Sequence, residues 1–93
     1  MIVTIRIPTP LRAYTGGNEH VNVSGATVGE ALDDLVAQYP ELKPHLFENG
    51  RLRSFVNIFL GEEDVRYLQG VETALAEDDR LMIIPSIAGG LAA

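Results

Sequence analysis

The stretch "SGATVGEALDDLVAQYP", residues 24–40, carries the clearest helix signal in the chain. Thr27 precedes Glu30 by three positions, the capping-box spacing in which each side chain satisfies an orphan amide at a helix start. Val28, Ala31, Leu32, Leu35, Val36 and Tyr39 then recur at helical spacing, with Glu30, Asp33, Asp34 and Gln38 on the opposite side. Pro40 ends the helix, because the residue before a proline is held away from helical dihedrals. One long helix with one apolar stripe needs a sheet to bury that stripe.

Strand signals flank it on both sides. Residues 2–7 put Val3, Ile5 and Ile7 on one face and Thr4 and Arg6 on the other, until Pro8 and Pro10 stop the run. After Leu11-Arg12-Ala13-Tyr14, the turn signal Thr15-Gly16-Gly17-Asn18 leads into a second alternating stretch at 20–23, containing Val21 and Val23. The two stretches read as an antiparallel hairpin with a long loop. Beyond the helix, residues 41–50 are turn-rich, with one short helical turn carrying Leu42, Leu46 and Phe47. Residues 52–60 then read as a central strand, closed by Gly61-Glu62-Glu63. Asp64-Val65-Arg66-Tyr67 reads as a short edge strand, residues 71–75 as a single turn, and Leu81-Met82-Ile83-Ile84 as the last strand. This order predicts an α+β chain of the β-grasp, or ubiquitin-like, type: a mixed sheet with one main helix packed on one face. The apolar first and last strands are expected side by side and parallel at its centre.

The 93 residues suffice for one domain with one core, expected over 1–85, followed by a slender tail over 86–93. With a formal net charge of -6 and only 7 scattered basic residues, the chain lacks the footprint of a nucleic-acid binder. No apolar run approaches the roughly 20 residues that span a bilayer, and no signal peptide is visible, so the expected address is the cytoplasm. The absence of cysteine removes disulfides, thiolate metal sites and any protein thiol as a sulfur holder. His20 and His45 have no ligand spacing, and no metal is assigned.

The helix covers one sheet face, yet the 55–60 and 81–84 segments are apolar on both. Phe59 and either Met82 or Ile84 therefore point outward, as a partner-binding patch or under a local cover from the loops.

The chain resembles the ubiquitin-like sulfur carriers, the family of the molybdopterin synthase small subunit, the thiamin sulfur carrier and the cysteine-biosynthesis carrier. The matching residues are Ile7-Pro8-Thr9 with Leu11-Arg12, Thr15-Gly16-Gly17, Thr27-Val28-Gly29, Phe55-Val56-Asn57-Ile58, Glu63-Asp64-Val65-Arg66, and the closing Ile84-Pro85-Ser86-Ile87-Ala88-Gly89-Gly90. The resemblance implies a protein cosubstrate and not an enzyme. Its working atom is the Gly90 carboxylate, which a ubiquitin-activator-like adenylating enzyme converts with Mg-ATP to an acyl adenylate and then to a thiocarboxylate. No cofactor is bound by the chain itself. The sulfur acceptor is a synthase, of the cysteine synthase type or the molybdopterin synthase large subunit. Ala88 and Gly89 belong to the slender arm, and Ile87 joins Phe59, Met82 and Ile84 as an expected partner contact. Arg12 and Arg66 are either rim contacts or ordinary surface charges.

Leu91-Ala92-Ala93 departs from the family pattern, because it locks the Gly90 carboxylate in a peptide bond. Family chemistry then requires cleavage between Gly90 and Leu91, and the resemblance points to a deubiquitinase-like zinc metalloprotease. A turnover tag and a neutral extension are the other readings of these residues. Two further functions stay open at this point: a ubiquitin-like modifier joined to lysines through Gly90, and a plain interaction module.

Overall fold

The computed structural model describes residues 1–85, and the elements follow from the same patterns. Strand β1 (Ile2–Arg6) pairs antiparallel with β2 (His20–Ser24), placing Val3 opposite Val23 and Ile5 opposite Val21. The long connection between them is a 3-10 helix over Thr9–Thr15, which ends at Gly16 in the left-handed conformation (φ 64°) that glycine adopts without strain. Strand β7 (Arg80–Pro85) lies against β1 in parallel, and β5 (Val56–Leu60) pairs antiparallel with the other side of β7. The sheet order β2-β1-β7-β5-β6, with β6 over Glu63–Asp64, puts the first and last strands at the centre as expected.

Helix α1 (Val28–Gln38) packs on one face of this sheet, burying Val28, Ala31, Leu32 and Leu35 against Val3, Ile5, Ile58, Leu81 and Ile83. At its start, Thr27 Oγ1 accepts from the Glu30 amide at 3.2 Å, while Glu30 Oε1 accepts from the Ala26 amide at 2.8 Å. The reciprocal bond thus reaches one residue further out than the usual capping box. Thr27→Ala removes an acceptor for an otherwise orphaned donor, and it is expected to lower unfolding free energy by about 1 kcal/mol in a urea titration.

The polar side of α1 has a structural task too. Gln38 Nε2 donates to the Asn22 carbonyl at 3.0 Å, and Asp34 Oδ2 accepts from the Ser24 amide at 2.9 Å. Both bonds satisfy groups along the open edge of β2, the kind of edge that otherwise invites pairing with another chain.

Four expectations need correction. Residues 52–60 are not one strand. The short helix α2 (Lys43–Leu46) leads into a small hairpin of β3 (Phe47–Glu48) and β4 (Arg51–Leu52), and β5 begins only at Val56. The cause is Asn49-Gly50, both at positive φ (56° and 79°), a two-residue hairpin loop whose sequence signature is plain. The Arg53 amide then donates to Leu46 O, and the Val56 amide to Arg53 O, turning the chain between β4 and β5. Nor do Leu42, Leu46 and Phe47 share one helical turn: Leu42 ends a 3-10 turn over Pro40–Leu42, Leu46 ends α2, and Phe47 begins β3.

Likewise, residues 64–67 are mostly a 3-10 turn. Asp64 Oδ1 accepts from the Arg66 amide at 2.9 Å, capping the turn Val65–Tyr67 and ending β6 after two residues. The turn expected over 71–75 is a 3-10 turn over Gly70–Glu72, shifted because Thr73 Oγ1 donates back to Gly70 O and Ala74 bridges to Thr27.

Candidate functional site

Helix α1 covers the inner face of the sheet, and strand alternation decides what the outer face shows. On β7, Leu81 and Ile83 are buried in the core, so Arg80, Met82 and Ile84 face outward. Met82 and Ile84 therefore both point away from the helix, where the sequence left a choice between them. Met82 stands opposite Arg6 on β1 and opposite Phe59 on β5, and Ile84 stands opposite Asn57. Arg6, Met82 and Phe59 thus form a row across three strands, with half-buried apolar side chains at its centre and Ile84, 37% exposed, beside it.

At the end of this row the chain reaches Pro85, which pairs with Val56 at the ladder's last rung and has no amide hydrogen to carry the pairing on. An open groove beside it is lined by Arg6, Pro8, Arg12 and residues 82–85 of β7. Arg12 is fixed there. Its Nε donates to the Ile7 carbonyl at 3.0 Å, and its terminal nitrogen lies 3.4 Å from Glu19 Oε2. The same carboxylate oxygen holds Arg6 Nε at 3.1 Å. One acid thus tethers both guanidinium groups beside the strand end that leads into the tail.

Arg66, at the other flank, donates to Ser54 O at 2.8 Å and Val56 O at 3.1 Å. Both arginines that the sequence offered as surface charges or rim contacts are therefore pins on the main chain. Arg66 closes carbonyls next to the outer edge of β5, much as Asp34 and Gln38 close the edge of β2. His45 stacks on Tyr14 with ring centroids 4.3 Å apart, fastening α2 to the loop after β1. His20 lies on the outward face of β2 near Arg6 and Arg80. No group of three or more metal-ligating side chains comes together among the described residues.

Of the expected site residues, Phe59, Met82 and Ile84 thus share one face. Ile87, Ala88, Gly89, Gly90 and Leu91 lie outside the described residues. Sequence reasoning passed over Arg6 and Pro8 in this groove. The signal for Arg6 was available in the alternation of β1, which sets it on the same face as Met82.

A model of the ThiS family matches residues 5–90, nearly the whole chain. The chain belongs to the ThiS family. Among the curated relatives of this ThiS-family chain, the sulfur carrier protein CysO of Mycobacterium tuberculosis is 44% identical over 93 residues, covering 97% of this chain and 100% of the relative. In a solved BexX/CysO complex from Amycolatopsis orientalis, the matching chain is 41% identical with a TM-score of 0.86, covering 95% of this chain and 99% of that one. Small archaeal modifier protein 1 of Methanosarcina acetivorans reaches the same TM-score of 0.86 at 31% identity, with 96% of each chain covered. These neighbours share the β-grasp order of strands around one helix found here. Among the described residues, no helix is long and apolar enough to cross a membrane.

Proposed function

We propose that this protein is a cytoplasmic sulfur carrier, a cosubstrate passed between enzymes and not a catalyst, which delivers sulfur as a thiocarboxylate on Gly90. The observation that carries the reading is the full-length similarity to sulfur carrier CysO at 44% identity. The family match adds to it, since it runs through Gly89 and stops at Gly90, leaving Leu91-Ala92-Ala93 beyond it.

The chemistry starts by freeing an acid. Water adds across the Gly90-Leu91 peptide bond, with a zinc metalloprotease of the deubiquitinase-like class as the fitting catalyst, and leaves a Gly90 carboxylate. A partner adenylating enzyme with Mg-ATP then lets one carboxylate oxygen attack the α-phosphorus, expelling pyrophosphate and forming the acyl adenylate. A sulfur nucleophile displaces AMP from the acyl carbon. Where that nucleophile is a persulfide, a thiol must next cleave the S–S bond to release the thiocarboxylate. The acceptor synthase takes sulfur from there, with cysteine formation as the receiving pathway and molybdopterin formation as its variant.

This chain's contribution is delivery. Gly89 and Gly90 present no Cβ, so the backbone fits a channel too narrow for other residues. Six residues from Pro85 to Gly90 reach at most roughly 20 Å when extended, enough to enter a cleft while the folded body docks outside. The outer sheet face is the docking surface that fits this task, since Met82 and Ile84 lie on the strand from which the tail departs and Phe59 on its neighbour.

Met82→Asp places a charge at the centre of the row without touching the core. It is expected to weaken binding to the adenylating enzyme by roughly 30-fold or more, the loss typical of a buried interface anchor, while the melting temperature stays within a few degrees. Isothermal titration beside a thermal melt checks both halves.

The test of the function is the intact mass of protein purified from its own cell. Truncation at Gly90 together with the mass gain of one oxygen-to-sulfur exchange is the expected result. A population ending uniformly at Ala93 would sink the proposal. The small archaeal modifier relatives keep a second reading in view, conjugation of Gly90 to lysines. A ladder of high-mass conjugates in cell extract is the outcome that would favour it.

A further inference from the structure

A second surface opens on the helix side of β5. Its floor is apolar, made by Leu52, Val56, Ile58 and Val71, and it continues past Leu52 and Val71 toward the first turn of α1 at Gly29. Three of the seven basic residues of the chain, Arg51, Arg53 and Arg66, stand around it, although the chain as a whole carries a net charge of -6. Arg53 is paired with Glu48 at 3.5 Å, but no carboxylate among the described residues pairs with the guanidinium of Arg51 or Arg66. In the adjoining turns Tyr67 is 86% exposed and Val71 43%.

We propose that this groove docks an acidic, apolar-rich segment of a partner protein, at a site distinct from the outer sheet face. Two observations select that occupant. The aliphatic floor rewards burial of Leu- or Phe-like side chains, which a solvated charge run would not supply. Arg53 shares Glu48, and Asp33 is the one acid in the lining, so with Arg51 and Arg66 the rim is net positive on a chain of net charge -6, which favours an acidic segment. Val56, on the groove floor, is the ladder partner of Pro85. A segment bound here lies beside the start of the tail and leaves Met82 and Phe59 free, so two proteins can hold the carrier at once.

The test is an amide chemical-shift titration of the full 15N-labelled chain. The probe is a short blocked peptide in which Glu and Asp alternate with Leu and Phe. The same peptide with Lys for each acid and a single-stranded oligonucleotide serve as comparisons. The acidic peptide is expected to shift the amides of Leu52, Gly70 and Val71, to leave Thr4 and Met82 unmoved, and to weaken several-fold as salt rises. Arg51→Glu, at an exposed hairpin position, is expected to reduce its affinity roughly tenfold, with Arg51→Gln between the two. The proposal is overturned by any of four results: no shift in the groove at millimolar peptide, an equal response to the Lys peptide, equally tight oligonucleotide binding, or unchanged affinity in both Arg51 variants.

Discussion

A version of this chain ending at Gly90 is expected to drive ATP–pyrophosphate exchange with the proposed adenylating enzyme, while the version continuing through Leu91-Ala92-Ala93 stays at background. The difference is chemical before it is structural. Adenylation needs a carboxylate oxygen as nucleophile, and in the longer chain the Gly90 acyl carbon is bonded to the Leu91 nitrogen. Two more variants separate the bond from bulk at the tail end. A chain ending at Ala88 keeps a free carboxylate without the two glycines, and a Gly90→Val chain ending at that residue keeps the length but adds a branched Cβ. Both are expected to lose exchange by a hundredfold or more, the scale of misplacing a reacting group by about 1 Å. Exchange by the chain that ends at Ala93, at a rate near that of the chain ending at Gly90, would remove the need for processing altogether.

The fold was legible where a pattern had one physical solution. The Thr27 to Tyr39 helix was fixed by a cap, an apolar stripe and Pro40, and the central pair β1 and β7 by apolar runs that only a covered sheet accommodates. Elsewhere two signals compete. Residues 52–60 are so rich in β-formers that propensity outweighed Asn49-Gly50, and the hairpin that takes Leu52 out of the main sheet was missed. Asp64 ended β6 early through a side-chain bond to the Arg66 amide, a local competition that periodicity does not register.

The outward face shared by Phe59, Met82 and Ile84 was legible in strand alternation, and the partners of the arginines were not. Arg12 and Arg66 read as surface charge because a guanidinium's acceptor lies elsewhere in the chain: Ile7 O for one, Ser54 O and Val56 O for the other. Only the folded backbone brings those carbonyls within reach. The shared use of Glu19 by Arg6 and Arg12 is of the same kind, since it depends on the register that sets Arg6 opposite His20.

The second large effect is expected from Ile83→Ala. Ile83 is 1% exposed, pairs with Ile58 across β5 and β7, and points into the core beneath α1. Truncating it removes buried methyl and methylene groups and leaves a cavity that a close-packed sheet and helix cannot fully fill, a change worth about 3 kcal/mol. Domains of this size hold only about 5–15 kcal/mol in total, so the midpoint of thermal unfolding should fall by roughly 12–24 °C. Its neighbour supplies the contrast. Met82 lies one residue away on the same strand but on the other face, and Met82→Ala is expected to change stability by less than about 1 kcal/mol while still weakening binding to the adenylating enzyme. Urea titrations of both variants, set beside their binding isotherms, decide whether stability and docking divide along β7 by the parity of the residue. Equal loss of stability in the two would mean that the outer face is packed as the inner one is, and Met82 would then be a core residue and not a docking one.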